Sequence, residues 1–147
     1  MPVNKLKGLT LHEIFTKVAE AKTREDKIDV LRTYNELFVR DVLKGAYDDT
    51  IQFTIPKGTP PYNPAPERNP PTHIRRTTKQ FKYFVVGGPG EQLPKLKVET
   101  MFIRAIEAVH PNDAKIIIAM KDKELAGMYK GLTKKLASDA FPGLIAK

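Results

Sequence analysis

The chain has 147 residues, 41 % of them hydrophobic, with no cysteine and with 25 Lys and Arg against 17 Asp and Glu. That length and apolar content suit a single domain, 1–147, around one core; the absence of cysteine excludes a disulfide framework and a thiolate metal site, and His12, His73 and His110 are too scattered for a ligand set. The net charge of +8 favours an acidic partner such as nucleic acid, and with no signal-type apolar run and no membrane-spanning stretch the expectation is a soluble cytoplasmic protein without a membrane partner.

From Leu9 to Ala21 the apolar residues Leu11, Ile14, Phe15 and Val18 recur at helical spacing, and Thr10 with Glu13 spells a capping box. Thr23 opens a second helix whose Glu25 and Asp26 suit the positive end of the macrodipole, with Ile28 and Leu31 as its buried stripe. Asn35 and Glu36 introduce a third, with Phe38, Val39, Val42 and Leu43 on its apolar side and Gly45 as its expected stop. Short helices with tight connections predict sequential helix packing.

Between Thr50 and Arg75 seven prolines, at positions 56, 60, 61, 64, 66, 70 and 71, rule out a helix or a central strand. Ile51, Phe53 and Ile55 alternate, which predicts a short extended piece, and residues 50–72 read as a long proline-rich loop within the domain. Its Pro61 to Pro64 spacing fits a ligand for an aromatic groove, although proline runs more often act as stiff connectors.

The helical pattern returns from His73 to Val85, with Ile74, Phe81, Phe84 and Val85 on one side and Arg75, Lys79 and Lys82 at i, i+4 and i+7 on another. Gly87-Gly88-Pro89-Gly90 is a turn; the lysine and hydroxyl of a phosphate loop do not follow it. Pro94 suits a first helical position, and Leu96, Met101, Phe102, Ile103, Ala105, Ile106 and Val109 predict the central helix of the molecule, with Lys95 and Lys97 in its first turn. His110-Pro111-Asn112-Asp113 opens the next helix, whose Ile116, Ile117, Ile118 and Met120 are core, and Lys121-Asp122-Lys123-Glu124 reads as a solvated helix end.

The closing stretch runs Lys130, Gly131, Leu132, Thr133, Lys134, Lys135, Leu136, Ala137, Ser138, Asp139, Ala140, Phe141, Pro142, Gly143, Leu144, Ile145. Thr133 as N-cap puts Lys134 and Lys135 in the first turn, where the dipole disfavours cations by roughly 0.3–1 kcal/mol each at exposed sites. Lys95 and Lys97 repeat the anomaly, whereas the helices opening at Thr23, Asn35 and Pro111 begin with acids. Free amides after a flexible glycine, flanked by lysines, are what a phosphate group binds. Read without a ligand, the segment is a C-terminal core helix with solvated lysines.

No catalytic constellation appears. Ser138 is the only serine, no Gly-x-Ser-x-Gly elbow exists, and Asp48-Asp49 follows a helix end, where acids commonly cap turns rather than hold metal. Neither an enzyme nor a cofactor is expected.

The closing Gly-Leu-Thr-Lys-Lys-Leu-Ala-Ser-Asp-Ala-Phe-Pro-Gly-Leu-Ile resembles the end of the N-terminal DNA-binding domain of ATP-dependent DNA ligases of T-even-like phages, and Leu11 to Glu13, Thr23 to Lys27 and the Asn35 to Gly45 helix resemble that domain's opening. The chain is also similar to small proteins of large tailed phages of marine bacteria. The resemblance implies an all-α bundle of about six or seven helices that grips duplex DNA through phosphate contacts, inside an infected host cell. It places Lys130, Gly131, Leu132, Thr133, Lys134 and Lys135 on the phosphate-contact segment. The ligase Lys-x-Asp-Gly motif is absent, so no adenylation is implied, and the proline tract and the Arg75, Arg76, Lys79, Lys82 face have no ligase counterpart. The expected function is non-catalytic, sequence-independent duplex DNA binding at these residues and at Lys95 and Lys97. The competing expectation is a phage protein-interaction module that keeps the fold and docks a host or phage protein through the proline tract and Tyr62; RNA ranks third, since no aromatic stacking platform is visible.

Overall fold

The computed structural model describes residues 9–146, in which seven α-helices and two 3-10 segments form an all-α bundle. In chain order these are α1 (Leu11–Glu20), α2 (Arg24–Thr33), α3 (Leu37–Tyr47), α4 (Ile74–Thr77), the 3-10 segments Thr78–Phe84 and Pro89–Gln92, α5 (Lys95–Ala108), α6 (Pro111–Lys121) and α7 (Lys134–Ala140). The N-terminal stretch in which no signal-type run was expected lies largely outside the described residues. Among the described residues the only extended pairing is an antiparallel bridge between Phe53 and Val85, closed by Thr54 N to Phe84 O at 2.7 Å and Val86 N to Gln52 O at 2.8 Å.

The helix starts follow the sequence. Thr10 and Glu13 form the capping box of α1, Thr23 Oγ1 accepts from Asp26 N at 3.0 Å in α2, and Thr133 Oγ1 accepts from Leu136 N at 3.1 Å in α7. The helix ends do not. Gly45 lies inside α3, where an added Cβ would stand 2.8 Å from Met120 Sδ and 3.2 Å from the Phe53 ring; it permits close packing and stops nothing. The stop comes from Lys123, whose Nζ donates to Gly45 O at 2.6 Å and Asp48 O at 3.0 Å.

The central helix is α6, not α5. It packs against α1, α3 and α5 and buries Ala114, Ile116, Ile117, Ile118 and Met120. In α5 the stripe facing inward is Val98, Phe102, Ala105 and Ile106, at helical spacing; Leu96 falls off that stripe and is 75 % exposed, with Met101 and Ile103 only partly buried. The stretch His73 to Val85 is not one α-helix either. One α-turn gives way to 3-10 winding with three residues per turn, so Thr78, Phe81 and Phe84 eclipse each other on the buried side, and Arg75 no longer shares a face with Lys79 and Lys82 at i+4 and i+7. Gly90 is required there, because a Cβ would run into the Tyr83 carbonyl.

Residues 51–73 carry no helix, but they are stitched down rather than left over the surface. Lys121, expected in a solvated helix end, is 5 % exposed and donates to Pro56 O at 2.9 Å, Gly58 O at 2.7 Å and Asp122 Oδ1 at 2.6 Å. Asn63 N donates to Glu107 Oε2 at 2.8 Å and Thr72 N to Ala108 O at 2.9 Å, while Ile55 and Ala65 are buried.

Both ends of α1 are closed from elsewhere in the chain. The Asp113 carboxylate of α6, 1 % exposed, accepts from Leu11 N at 3.1 Å and His12 N at 2.8 Å, and Lys27 Nζ of α2 donates to Val18 O and Ala21 O, both at 2.8 Å. Burial pushes the Asp113 pKa up to about 6, against the pull of the two amides. Asp48 is the opposite case. Lys44 Nζ at 2.7 Å, Thr50 Oγ1 at 2.6 Å, Thr50 N and Ala146 N all donate to it, and they hold its carboxyl well below the usual carboxylate range.

A carboxyl whose pKa is raised on folding stabilises the fold fully below its unfolded value of 3.8 and loses that contribution as pH rises through about 6. Between about pH 7 and about pH 4 the wild type therefore gains on the order of 2 kcal/mol relative to Asp113→Asn, which cannot titrate. Urea unfolding of both proteins across that range measures the difference, and parallel curves would remove Asp113 as a buried titrating cap.

Candidate nucleic-acid interface

In the closing segment the backbone is already committed. Gly131 adopts φ +80°, the left-handed region that favours glycine, and a Cβ there would stand 2.6 Å from Lys27 Cε. Leu132 is a core residue whose carbonyl accepts from Tyr47 Oη at 3.0 Å and whose amide donates to Tyr129 O at 3.0 Å. Gly131 thus keeps the chain clear of the lysine that closes α1, and Leu132 anchors the segment.

The cations that follow have acidic neighbours within the fold. Lys134 Nζ lies 3.5 Å from Asp49 Oδ2, Lys135 Nζ lies 3.8 Å from Asp139 Oδ2, and Arg24 of α2 pairs with the same Asp139 carboxylate. Hydrogen bonding to Arg24, with Lys135 adding to it, lowers the Asp139 pKa. Arg32 completes the junction, its Nε donating to Ala140 O at 3.0 Å and its terminal nitrogen to Asp139 O at 3.0 Å. Lys130 is exposed. The i, i+4 relation of Lys135 to Asp139 was visible in the sequence; Arg24 and Asp49 reach this site only through the packing of α7 on α2 and α3.

A second group of candidates sits on α4, the first 3-10 segment and α5. Arg75, Arg76, Lys79 and Lys82 are all exposed, and Lys82 Nζ stands 5.4 Å from the Tyr83 ring centroid. Arg75 N and Nε donate to His73 Nδ1 at 3.0 and 3.3 Å, which leaves His73 Nε2–H to donate to Leu9 O at 2.7 Å. Burial lowers the His73 pKa, consistent with that neutral tautomer.

Lys95 and Lys97 are exposed in the first turn of α5, which begins at Pro94 with no side-chain cap. Lys97, Met101, Arg104 and Ala108 fall along one side of α5 by helical spacing. The 3-10 segment packs against this helix, with Phe84 edge-on to Phe102 at 5.3 Å between ring centroids. Between them opens a recess of about 290 Å³ lined by Thr72, Arg76, Thr77, Gln80, Arg104 and the alanines 105 and 108. Among the described residues no carboxylate stands within 4.0 Å of Arg76, Lys79, Lys82, Lys95, Lys97 or Arg104.

The structure therefore divides the expected residues between two packing neighbourhoods. Lys130, Gly131, Leu132, Thr133, Lys134 and Lys135 belong to the junction of α7 with α2 and α3, where acids accompany the lysines. Arg75, Arg76, Lys79 and Lys82 belong with Lys95 and Lys97 to the 3-10 segment and α5. Arg104 joins this second group, and sequence reasoning passed over it because a lone arginine in an apolar helix carries no signal by itself. Among the described residues no group of three or more His, Asp or Glu is placed to hold a metal ion, and no helix is long and apolar enough to cross a membrane.

A family described as "Family of unknown function (DUF6433)" matches residues 14–127, which span α1 through α6 and include the whole second cationic group. No curated protein matches the chain.

Gly131→Ala is expected to destabilise the protein by about 1–2 kcal/mol, through left-handed strain and displacement of Lys27 from the end of α1. Lys134→Ala, at a surface pair, is expected to cost well under about 1 kcal/mol. Thermal unfolding of the two variants checks the contrast; equal, small losses would mean that Gly131 has no structural role.

Proposed function

The chain belongs to this family of unknown function, and we propose that it binds duplex DNA without reading sequence and without catalysis, by contacting backbone phosphates. The observation that carries this reading is the group Arg76, Lys79, Lys82, Lys95, Lys97 and Arg104, six cations on adjoining elements with no carboxylate beside them among the described residues. Exposed cations without a close carboxylate favour a polyanionic partner. Flexible lysines and exposed arginine forks suit phosphate oxygens, and contacts of that kind position a protein on a duplex without carrying sequence information. Lys130, Lys134 and Lys135 supply a secondary contact, weakened because Asp49 and Asp139 already compete for two of them. The likeness of the closing segment to the ligase DNA-binding domain supports the same partner.

A second reading, docking to an acidic protein surface, is favoured by one observation: Leu96 is 75 % exposed between Lys95 and Lys97, an apolar residue ringed by cations. The route through the proline tract has less to offer it, since Tyr62 packs against the core and the tract is hydrogen-bonded to α5 and α6.

Anisotropy titrations of an intact duplex, a nicked duplex and a single strand across a salt series test the proposal. With four to six phosphates neutralised, log K should fall against log salt with a slope of roughly −3.6 to −5.4 on duplex. The triple variant R76A/K79A/K82A should shallow that slope by about 2.7, and K134A/K135A by less. Absence of salt-sensitive duplex binding by the intact protein at low salt would overturn the DNA reading and leave protein docking.

A further inference from the structure

The recess between the first 3-10 segment and α5 has a composition unlike the rest of the cationic surface. Arg76 and Arg104 come from elements 28 positions apart in the sequence and line the same space of about 290 Å³, together with Gln80, Thr72 and Thr77. Its floor is alanine, Ala105 and Ala108, so no large side chain fills it and no aromatic wall invites a base. Thr72 is fixed as one wall by the hydrogen bond its N–H donates to Ala108 O at 2.9 Å, and Thr77 is 3 % exposed. Among the described residues no carboxylate answers either guanidinium within 4.0 Å.

From this we infer that the recess is a binding site for a dianionic phosphoryl group, either inorganic phosphate or a terminal phosphate monoester. Two guanidinium forks match the two charges and the several oxygens of a phosphate dianion, and a site between two elements admits a terminal group more readily than the phosphodiester of a continuous strand. The Gln80 amide and the threonine hydroxyls donate to the remaining oxygens or accept from a protonated one. The site shares Arg76 and Arg104 with the proposed duplex-binding face but needs only the recess, so it can hold without that reading.

Titration of ¹⁵N-labelled protein with inorganic phosphate, at ionic strength held constant with chloride, reads it directly. Saturable shifts are expected at residues 72–80 and 104–108, with apparent affinity at least about tenfold weaker in Arg76→Gln and in Arg104→Gln, each replacing one charged fork with a shorter neutral amide. Lys22→Gln, at an exposed residue outside the recess, should behave as wild type, and the dispersion of each spectrum reports folding. No phosphate-specific shift, or an equal response in the doubly substituted protein, would overturn the site. A short oligonucleotide with and without a 5′-phosphate separates the two sources: stronger binding of the phosphorylated than of the unphosphorylated form supports a terminal monoester, and equal binding of the two beside saturable phosphate binding supports the free ion. A blunt duplex lacking terminal phosphates tests backbone contact alone, so loss of duplex binding with phosphate binding intact would sink only the DNA reading.

Discussion

The carboxylate of Asp113 on the Leu11 and His12 amides holds the first helix to the central one, and it shows the constraint under which the rest of this bundle is built. Each short helix leaves orphan amides at one end and orphan carbonyls at the other, and in a bundle this size many of those ends are covered by neighbours. Charged side chains from elsewhere in the chain reach them. Lys27 closes the far end of the same helix, Lys123 closes α3, and Arg32 closes α7. Around Asp113 the packing is polar but ordered, with His12 Nδ1 2.6 Å from Tyr129 Oη and the Tyr129 ring edge-on to Phe15 at 5.4 Å between centroids. The last described residues are tied in by the same means, through Asp48 to Ala146 N and Lys44 to Leu144 O.

This use of charge changes what the basic composition means. Lys27, Arg32, Lys44, Lys121 and Lys123 all donate to backbone carbonyls, and they contribute to the net charge without being offered to a partner. The cations to weigh are the remainder. Lys134 and Lys135 lie beside carboxylates, whereas among the described residues Arg76, Lys79, Lys82, Lys95, Lys97 and Arg104 have none within 4.0 Å. The proposal of a polyanionic partner therefore rests on that face and not on the overall charge of +8.

The 3-10 winding of Thr78–Phe84 gives that face its form. An α-helix would have put Arg75, Lys79 and Lys82 on one side, at i, i+4 and i+7. Three residues per turn instead stack Thr78, Phe81 and Phe84 inward, and Phe84 then fixes the segment against Phe102 of α5. With the segment fixed there, Arg76 and Arg104 line the same recess. The close approach of Gly90 to the Tyr83 backbone turns the chain back at the end of the segment.

What the sequence determined by itself is what is local. Thr10 with Glu13, Thr23 and Thr133 are caps because a hydroxyl or carboxylate three residues from an amide reaches it whatever the rest of the chain does, and the inward stripe of α1 follows from a spacing of 3.6. The seven prolines excluded helix from the middle of the chain on the same local grounds. Tertiary structure decided the matters that depend on which surfaces meet. Gly45 reads as a stop until Met120 is packed against it, Lys121 reads as solvated until Pro56 and Gly58 are folded over it, and α5 looks more apolar than α6 although α6 is the one enclosed on three sides. For the candidate site the cations at 75, 76, 79, 82, 95, 97, 130, 134 and 135 were legible as charges. Their partners and their grouping were not, because Asp49, Arg24 and Arg104 act across tens of residues, and only packing sets which charges end up side by side.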